Sequence, residues 1–222
     1  GWSMKTQIIN IKADTVDPDT IKDIVSVLKE GGLIIYPTET FYGLGAGIFL
    51  SKAIRKIYQL KRRDPSKPLP VVISDLDMLH DVAKELPPDY EPLISGFWPG
   101  PLTVILRASS RVPEALQGPS GSIGVRLTGH RWLRALVRHA SFPLTATSAN
   151  LSGKKEISDP EKAIRLFGGK VDLIVNGGKT EGNMPSTVVD LTGEEPRLVR
   201  EGAISSLQLQ EFLPSLSAGR KE

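Results

Sequence analysis

The chain has no cysteine among its 222 residues. That excludes disulfide scaffolds, thiolate nucleophiles and zinc sites built on sulfur, and it fits a cytoplasmic protein. Histidine is scarce: only His80, His130 and His139 carry an imidazole, and no two stand at a metal-binding spacing. Aromatic residues make up 6% of the chain, a thin supply of stacking platforms for single-stranded nucleic acid. No apolar run approaches the roughly 20 residues of a membrane helix. Neither sign of charge dominates. Lys and Arg number 28 against 25 Asp and Glu, a net charge of +3 with a pI near 9.1. This mild excess is compatible with a phosphate-bearing partner without requiring one.

Familiar nucleotide and hydrolase motifs are missing as well. Gly43-Leu-Gly-Ala-Gly47 resembles a dinucleotide fingerprint, but the third glycine would fall at Ile48. Gly178-Lys-Thr180 resembles the end of a P-loop, but Leu173 stands where the first glycine belongs. There is no G-x-S-x-G serine elbow.

What is present is an ordinary soluble composition, 40% hydrophobic and 24% charged, long enough for one large domain or two small ones. Two Asp-Pro pairs start helices, because Asp caps free N–H groups and Pro suits the first helical position. Asp17-Pro18 leads into Ile21, Ile24, Val25 and Leu28 at helical spacing, stopped by Gly31-Gly32. Asp159-Pro160 opens a helix to Phe167. Further helices are predicted over 51–60, 76–86, 90–97 and 131–138, with a last one capped by Ser205 or Ser206. Strands are predicted over 7–11, 33–36, 69–73, 102–106, 122–127, 144–147, 171–175, 187–191 and 197–199. The alternation makes the class α/β, with a twisted mixed sheet. Residues 1–3 read as a cloning scar before Met4, residues 5–213 as one domain, and 214–222 as a frayed tail.

The chain is organised around Tyr36-Pro-Thr-Glu-Thr-Phe-Tyr-Gly-Leu-Gly45. A strand enters it and a helix leaves it. Its hydroxyls offer hydrogen bonds, and its glycines permit close backbone approach. The helix that follows ends in Lys61-Arg62-Arg63, with Lys67 beyond. A bare basic cluster at a helix end more often faces water. Here Pro65 and Pro68 hold the segment, and an extended path would point Lys61 and Arg63 to one side, as a triphosphate requires. Pro143 to Gly153 carries Thr145, Thr147, Ser148, Asn150 and Ser152 around a strand end, more hydrogen-bonding side chains than one capping turn needs. Ser186 stands before a strand, and Arg200 stands just before Gly202.

Together these segments resemble the YrdC/YciO family. The shared pattern is Tyr36-Pro-Thr-Glu-Thr with Tyr42-Gly-Leu-Gly, Lys61-x-Arg63, Trp98-Pro-Gly-Pro-Leu-Thr103, Gly124-Val-Arg126, Ser148-Ala-Asn-Leu-Ser-Gly153, Ser186-Thr-Val-Val-Asp190 and Arg200-Glu-Gly-Ala-Ile204. The blocks run in order over about residues 8 to 205, and the chain resembles the single-domain members. The resemblance implies a YrdC-like twisted sheet with helices on both sides around a large basic cavity. It implies an enzyme, a nucleotidyltransferase that condenses L-threonine, bicarbonate and ATP into L-threonylcarbamoyladenylate and pyrophosphate. A downstream transferase would place the threonylcarbamoyl group on a tRNA adenosine.

By position in the motifs, Thr40, Arg126, Ala146 and Ser186 would line a threonine pocket. Lys61, Arg63, Lys67, Ser122, Ser148, Asn150 and Arg200 would hold ATP. Lys61 and Arg63 would face the phosphates as the catalytic cations. Mg2+ would arrive with ATP, with no dedicated protein site. Thr40 would be the chief contact of the opening stretch, with Gly43 and Gly45 turning the chain sharply. Three positions depart from the family pattern: Lys67 for Asn, Val72 for His, and Glu156 for Ser. The competing readings are a tRNA or double-stranded RNA binding module without catalysis, and carbamoyl transfer in metallocentre assembly.

Overall fold

The computed structural model describes residues 4–12, 15–118 and 121–218. The scar assigned to 1–3 and the end of the tail, 219–222, lie outside them, but Ser217 and Ala218, expected to fray, pair in parallel with Arg197 and Leu198. The local signals for helices act as expected. Asp17 caps α1 (Pro18–Lys29) by accepting from Asp19 N, and Asp159 caps α6 (Pro160–Phe167) by accepting from Glu161 N. α1 turns Ile21, Ile24, Val25 and Leu28 inward and rests against α5 (Arg131–Ala140), which buries Trp132, Leu133, Leu136 and Val137. The remaining helices are α2 (Ser51–Lys61), α3 (Leu76–Val82), α4 (Tyr90–Phe97) and α7 (Ser206–Phe212), the last held by a capping box between Ser205 and Gln208. No helix among the described residues is long and apolar enough to cross a membrane.

α3 stops at Val82, short of the expected 86. Ala83 is extended and bridges Ala108, Lys84 N donates to Arg107 O at 2.8 Å, and Ser109 N donates to Val82 O at 2.9 Å. These long-range backbone bonds outcompete one more helical turn.

The strands form two mixed sheets. One is ordered β1-β9-β2-β3-β8, the other β12-β11-β10-β5-β6-β4-β7. The first contains β1 (Gln7–Asn10), β9 (Leu173–Asn176), β2 (Ile34–Tyr36), β3 (Gly43–Gly45) and β8 (Thr147–Ser148). The second contains β12 (Ser217–Ala218), β11 (Arg197–Arg200), β10 (Thr187–Asp190), β5 (Leu102–Arg107), β6 (Ser122–Leu127), β4 (Val71–Ile73) and β7 (Leu144–Thr145).

The strand expected over 144–147 is split between the sheets. Leu144 and Thr145 pair with β4, whereas Thr147 and Ser148 pair with β3. Ala146 is the crossing point, and its N–H is held by Pro70 O at 2.8 Å. This crossing ties the edges of the two sheets together.

Gly43 and Gly45 are expected to turn the chain sharply. They lie within β3, antiparallel to β2, opposite Tyr36 and Ile34. They make no turn. A Cβ at Gly43 would sit 2.8 Å from Tyr36 Cε2, and one at Gly45 would sit 2.7 Å from both Tyr36 Cε1 and Thr145 O. Absence of side chains here makes room for the fully buried Tyr36 ring, whose hydroxyl donates to Thr145 O at 2.7 Å. Burial pushes the Tyr36 phenol well above its ordinary range.

Candidate active site

A cavity of about 300 Å³ opens between the sheets. Its floor follows from strand alternation. Along β6, Ile123, Val125 and Leu127 are buried in the core, so Ser122, Gly124 and Arg126 point to the opposite face, into the cavity. Thr103 and Ile105 of β5 and Val188 of β10 continue that floor. The opposing wall comes from the other sheet and its loops: Tyr36, Thr38, Thr40, Phe41, Tyr42, Gly43, Thr147 and Ser148.

One end of the cavity is built from hydroxyls around a guanidinium. Thr38 Oγ1 donates to Phe41 O at 2.6 Å and lies 3.1 Å from Thr40 Oγ1, fixing the turn between β2 and β3. Arg126 Nη2 donates to Thr40 Oγ1 at 3.2 Å and to the Glu39 carboxylate. Thr103 Oγ1 and Ser186 Oγ are 2.9 Å apart. Arg200 reaches this pair from β11: Nε and Nη2 donate to Ser186 O at 3.0 and 2.7 Å, and Nη2 to Ser186 Oγ at 3.1 Å. Burial lowers the Arg126 guanidinium to about 10, with Arg200 adding to the drop and Tyr36 opposing it. The group is therefore cationic at neutral pH.

Toward the other end stands Arg63, which donates through Nη2 to Pro68 O at 2.8 Å. The Nε atoms of Arg63 and Arg126 are both buried and without a hydrogen-bond partner. Buried donors are normally paired, so two orphans on cations that line one cavity mark where acceptor atoms are wanted.

Lys61 lies behind the wall. It is 2% exposed, and its Nζ donates to Thr147 Oγ1 and Ser148 O at 2.7 Å each and to Asn150 Oδ1 at 3.1 Å. Asn150 also donates to Lys154 O at 2.7 Å. Burial lowers the Lys61 amine to about 8, with Arg63 contributing and Glu156 opposing. The stretch 61–63 is also not extended: Lys61 ends α2, and Arg62 follows in the left-handed region at φ 53°.

The fold thus brings Thr40, Arg63, Ser122, Arg126, Ala146, Ser148, Ser186 and Arg200 to one cavity. It leaves Lys61, Lys67 and Asn150 off the lining. Lys67 is exposed, while Asn150 and Lys61 brace one another beneath Ser148. Val72 is buried in β4, in register with Arg126, and is not among the residues that line the cavity. Two acidic residues went without a role in the reading above. Glu156 is the one carboxylate among the described lining residues. Glu39 grips Arg126, and its signal was present in the Tyr36–Thr40 block, where a charge stands among hydroxyls.

A profile of the Sua5/YciO/YrdC family, described as "Telomere recombination", matches residues 26–202. The chain belongs to this family. A threonylcarbamoyl-AMP synthase of Pyrococcus abyssi is 35% identical over 208 residues, covering 94% of this chain and 61% of that protein. One from Bacillus subtilis is 36% identical over 204 residues, covering 90% and 58%. The chain therefore spans about three fifths of the length of these two relatives. Sua5 of P. abyssi in complex with L-threonine superposes with a TM-score of 0.92 at 34% identity, over 96% of this chain and 63% of that one. The family fold accounts for the two sheets. Among the described residues no group of three His, Asp or Glu side chains gathers to hold a metal.

Proposed function

We propose that this chain is an L-threonylcarbamoyladenylate synthase, taking L-threonine, bicarbonate and ATP. The observation that carries this reading is the pairing of Arg126 with hydroxyls at one end of a cavity whose other cations, Arg63 and Arg200, line the same space. A guanidinium beside Thr40, Thr103 and Ser186 suits the carboxylate and hydroxyl of a small amino acid. Arg63, Ser122, Ser148 and Arg200 suit the nucleotide. The P. abyssi relative complexed with L-threonine supports the same assignment of substrate.

The chemistry demands little of the protein's own nucleophiles. The threonine amine attacks the carbon of bicarbonate, and loss of water leaves a carbamate. A carbamate oxygen then attacks the α-phosphorus of ATP. The new P–O bond forms as the bond to the β-phosphate oxygen breaks and pyrophosphate departs. Catalysis rests on holding the two substrates in line and on stabilising charge at phosphorus. Arg63 would face the phosphates as a cation on the cavity lining. Lys61 acts from behind, its ammonium holding Thr147, Ser148 and Asn150 as one rigid wall. Arg126 orients the threonine carboxylate.

Glu156 is a lone lining carboxylate, which fits an Mg2+ ion held chiefly by phosphate oxygens and water. Such an ion would neutralise triphosphate charge. The product would pass to a transferase acting on tRNA adenosine, and a cytoplasmic protein would suit that role. The rival reading, an RNA-binding module without catalysis, has no comparable support: a cavity of this size lined by hydroxyls suits small ligands.

Threonine-dependent pyrophosphate release from ATP in bicarbonate buffer tests the proposal, and no release at high enzyme concentration refutes it. Replacing Arg126 by Gln removes a charge-assisted contact worth roughly 1.5–3 kcal/mol. The threonine requirement then rises about ten- to a hundredfold, with the ATP requirement little changed. An equal rise in both contradicts the assignment of Arg126.

A further inference from the structure

Glu39 holds three donors at once. Oε1 accepts from Arg126 Nη2, while Oε2 accepts from Thr128 Oγ1 at 2.6 Å and His130 N at 2.9 Å. Thr128 and His130 belong to the segment joining β6 to α5, and His130 is the N-cap of α5, its Nδ1 accepting from Leu133 N. The Glu39 carboxylate is thus fixed from behind by one rigid segment, and it fixes in turn one edge of a guanidinium. The side chains of Arg126 and Glu39 are only 12% and 18% exposed. Water therefore competes weakly for either.

The guanidinium is planar, so fastening Nη2 to Glu39 and Thr40 determines where its other nitrogens point. Nε is buried and lacks a partner. Glu39 does not line the cavity, so it acts through Arg126 and touches no substrate. Its charge matters as well. Arg200 stands close enough to disfavour the charge on Arg126, and burial disfavours both. A fixed carboxylate behind Arg126 offsets that cost and keeps the second edge free for an incoming carboxylate.

We propose that Glu39 is the positioning residue of the amino-acid subsite: it orients and charge-balances Arg126 so that the guanidinium presents its free edge to the substrate carboxylate. This rests on the synthase reading above. Gln at position 39 keeps the shape and the acceptor for Thr128 and His130, but it loses the negative charge beside Arg126 and turns an amide donor toward the guanidinium. One charge-assisted hydrogen bond is lost, so threonine affinity falls about ten- to a hundredfold. ATP affinity changes less, because the side-chain contacts of Glu39 go to Arg126, Thr128 and His130 and to none of Arg63, Ser122, Ser148 or Arg200.

The test is calorimetric titration of threonine, with and without a non-hydrolysable ATP analogue, into the whole chain. Wild type, Glu39→Gln, Arg126→Gln and the double variant are compared, with ATP-analogue affinity as the control. The expected result is a selective loss for Glu39→Gln and no further loss when Glu39→Gln is added to Arg126→Gln, since its effect passes through that side chain. Additive losses, or equal losses for both ligands, overturn the proposal and reduce Glu39 to a scaffold role. A wild type that binds threonine as well as Glu39→Gln binds it overturns this inference alone. A wild type that binds no threonine overturns the synthase reading and this inference with it. If Glu39→Gln melts below the assay temperature, Glu39→Asp serves instead: it keeps the charge one methylene further away, and an intermediate, threonine-selective loss is expected. Unchanged threonine affinity in Glu39→Asp and in Glu39→Ala would also overturn the proposal.

Discussion

Lys61 offers a quantitative check on how the wall of the cavity is held. Its amine is 2% exposed and is lowered from 10.5 to about 8, chiefly by burial. The folded state thus disfavours the charge relative to the unfolded chain. At about 1.4 kcal/mol per pH unit the drop corresponds to about 3 kcal/mol. The sign follows from proton counts. Below pH 8 the lysine is charged in both states, and the cost of burying it is fully present. Between pH 8 and 10.5 the folded state has released the proton while the unfolded state retains it, so stability rises with pH. Above 10.5 both are neutral and the rise ends.

Other lysines and tyrosines titrate in the same window, so the readout is a difference. Urea unfolding of wild type and Lys61→Met is followed from pH 7 to 10.5 by tryptophan fluorescence. The wild type should gain about 3 kcal/mol over the variant across that interval. Part of the gain is offset because a neutral amine has two N–H donors for its three acceptors, Thr147, Ser148 and Asn150. Two stability curves that run parallel over the whole range would refute the claim that Lys61 is a buried, desolvated ammonium.

Two further outcomes are expected. Gly43→Ala places a methyl 2.8 Å from the Tyr36 ring, and such overpacking costs about 1–3 kcal/mol; urea unfolding measures it, and an unchanged midpoint would show that the Tyr36 ring can shift. Glu156→Ser removes the lone carboxylate among the described lining residues. At about 1 kcal/mol for two unit charges 4 Å apart in water, ATP measured without Mg2+ should bind about fivefold tighter, with the gain fading at high salt. No change in affinity would place Glu156 outside the phosphate region.

Much of this protein was determined by local chemistry, and so was legible from the chain alone. Asp17-Pro18 and Asp159-Pro160 start helices because a cap and a preset φ act over a few residues, whatever the surroundings. The alternation in 122–127 assigns Ser122 and Arg126 to one face of a strand because its period is two. The ordered motif blocks identified the family, and eight of the expected site residues meet at one cavity.

Tertiary structure decided what depends on partners far away in sequence. Gly43 and Gly45 look like turn residues until Tyr36 is laid across them from the neighbouring strand. Residues 144–147 read as one strand, yet they are shared between two sheets because β4 and β3 each claim one end. Lys61 and Arg63 seem alike in a basic cluster. The fold buries the first among three acceptors 86 to 89 residues away in sequence and leaves the second on the cavity. Glu39 stood in plain view between two threonines, but its role exists only because Arg126 arrives from 87 residues away. Short-range sterics and periodicity are written in the sequence. The pairing of charges across the cavity is set by which strands meet, and that emerges only when the whole chain has folded.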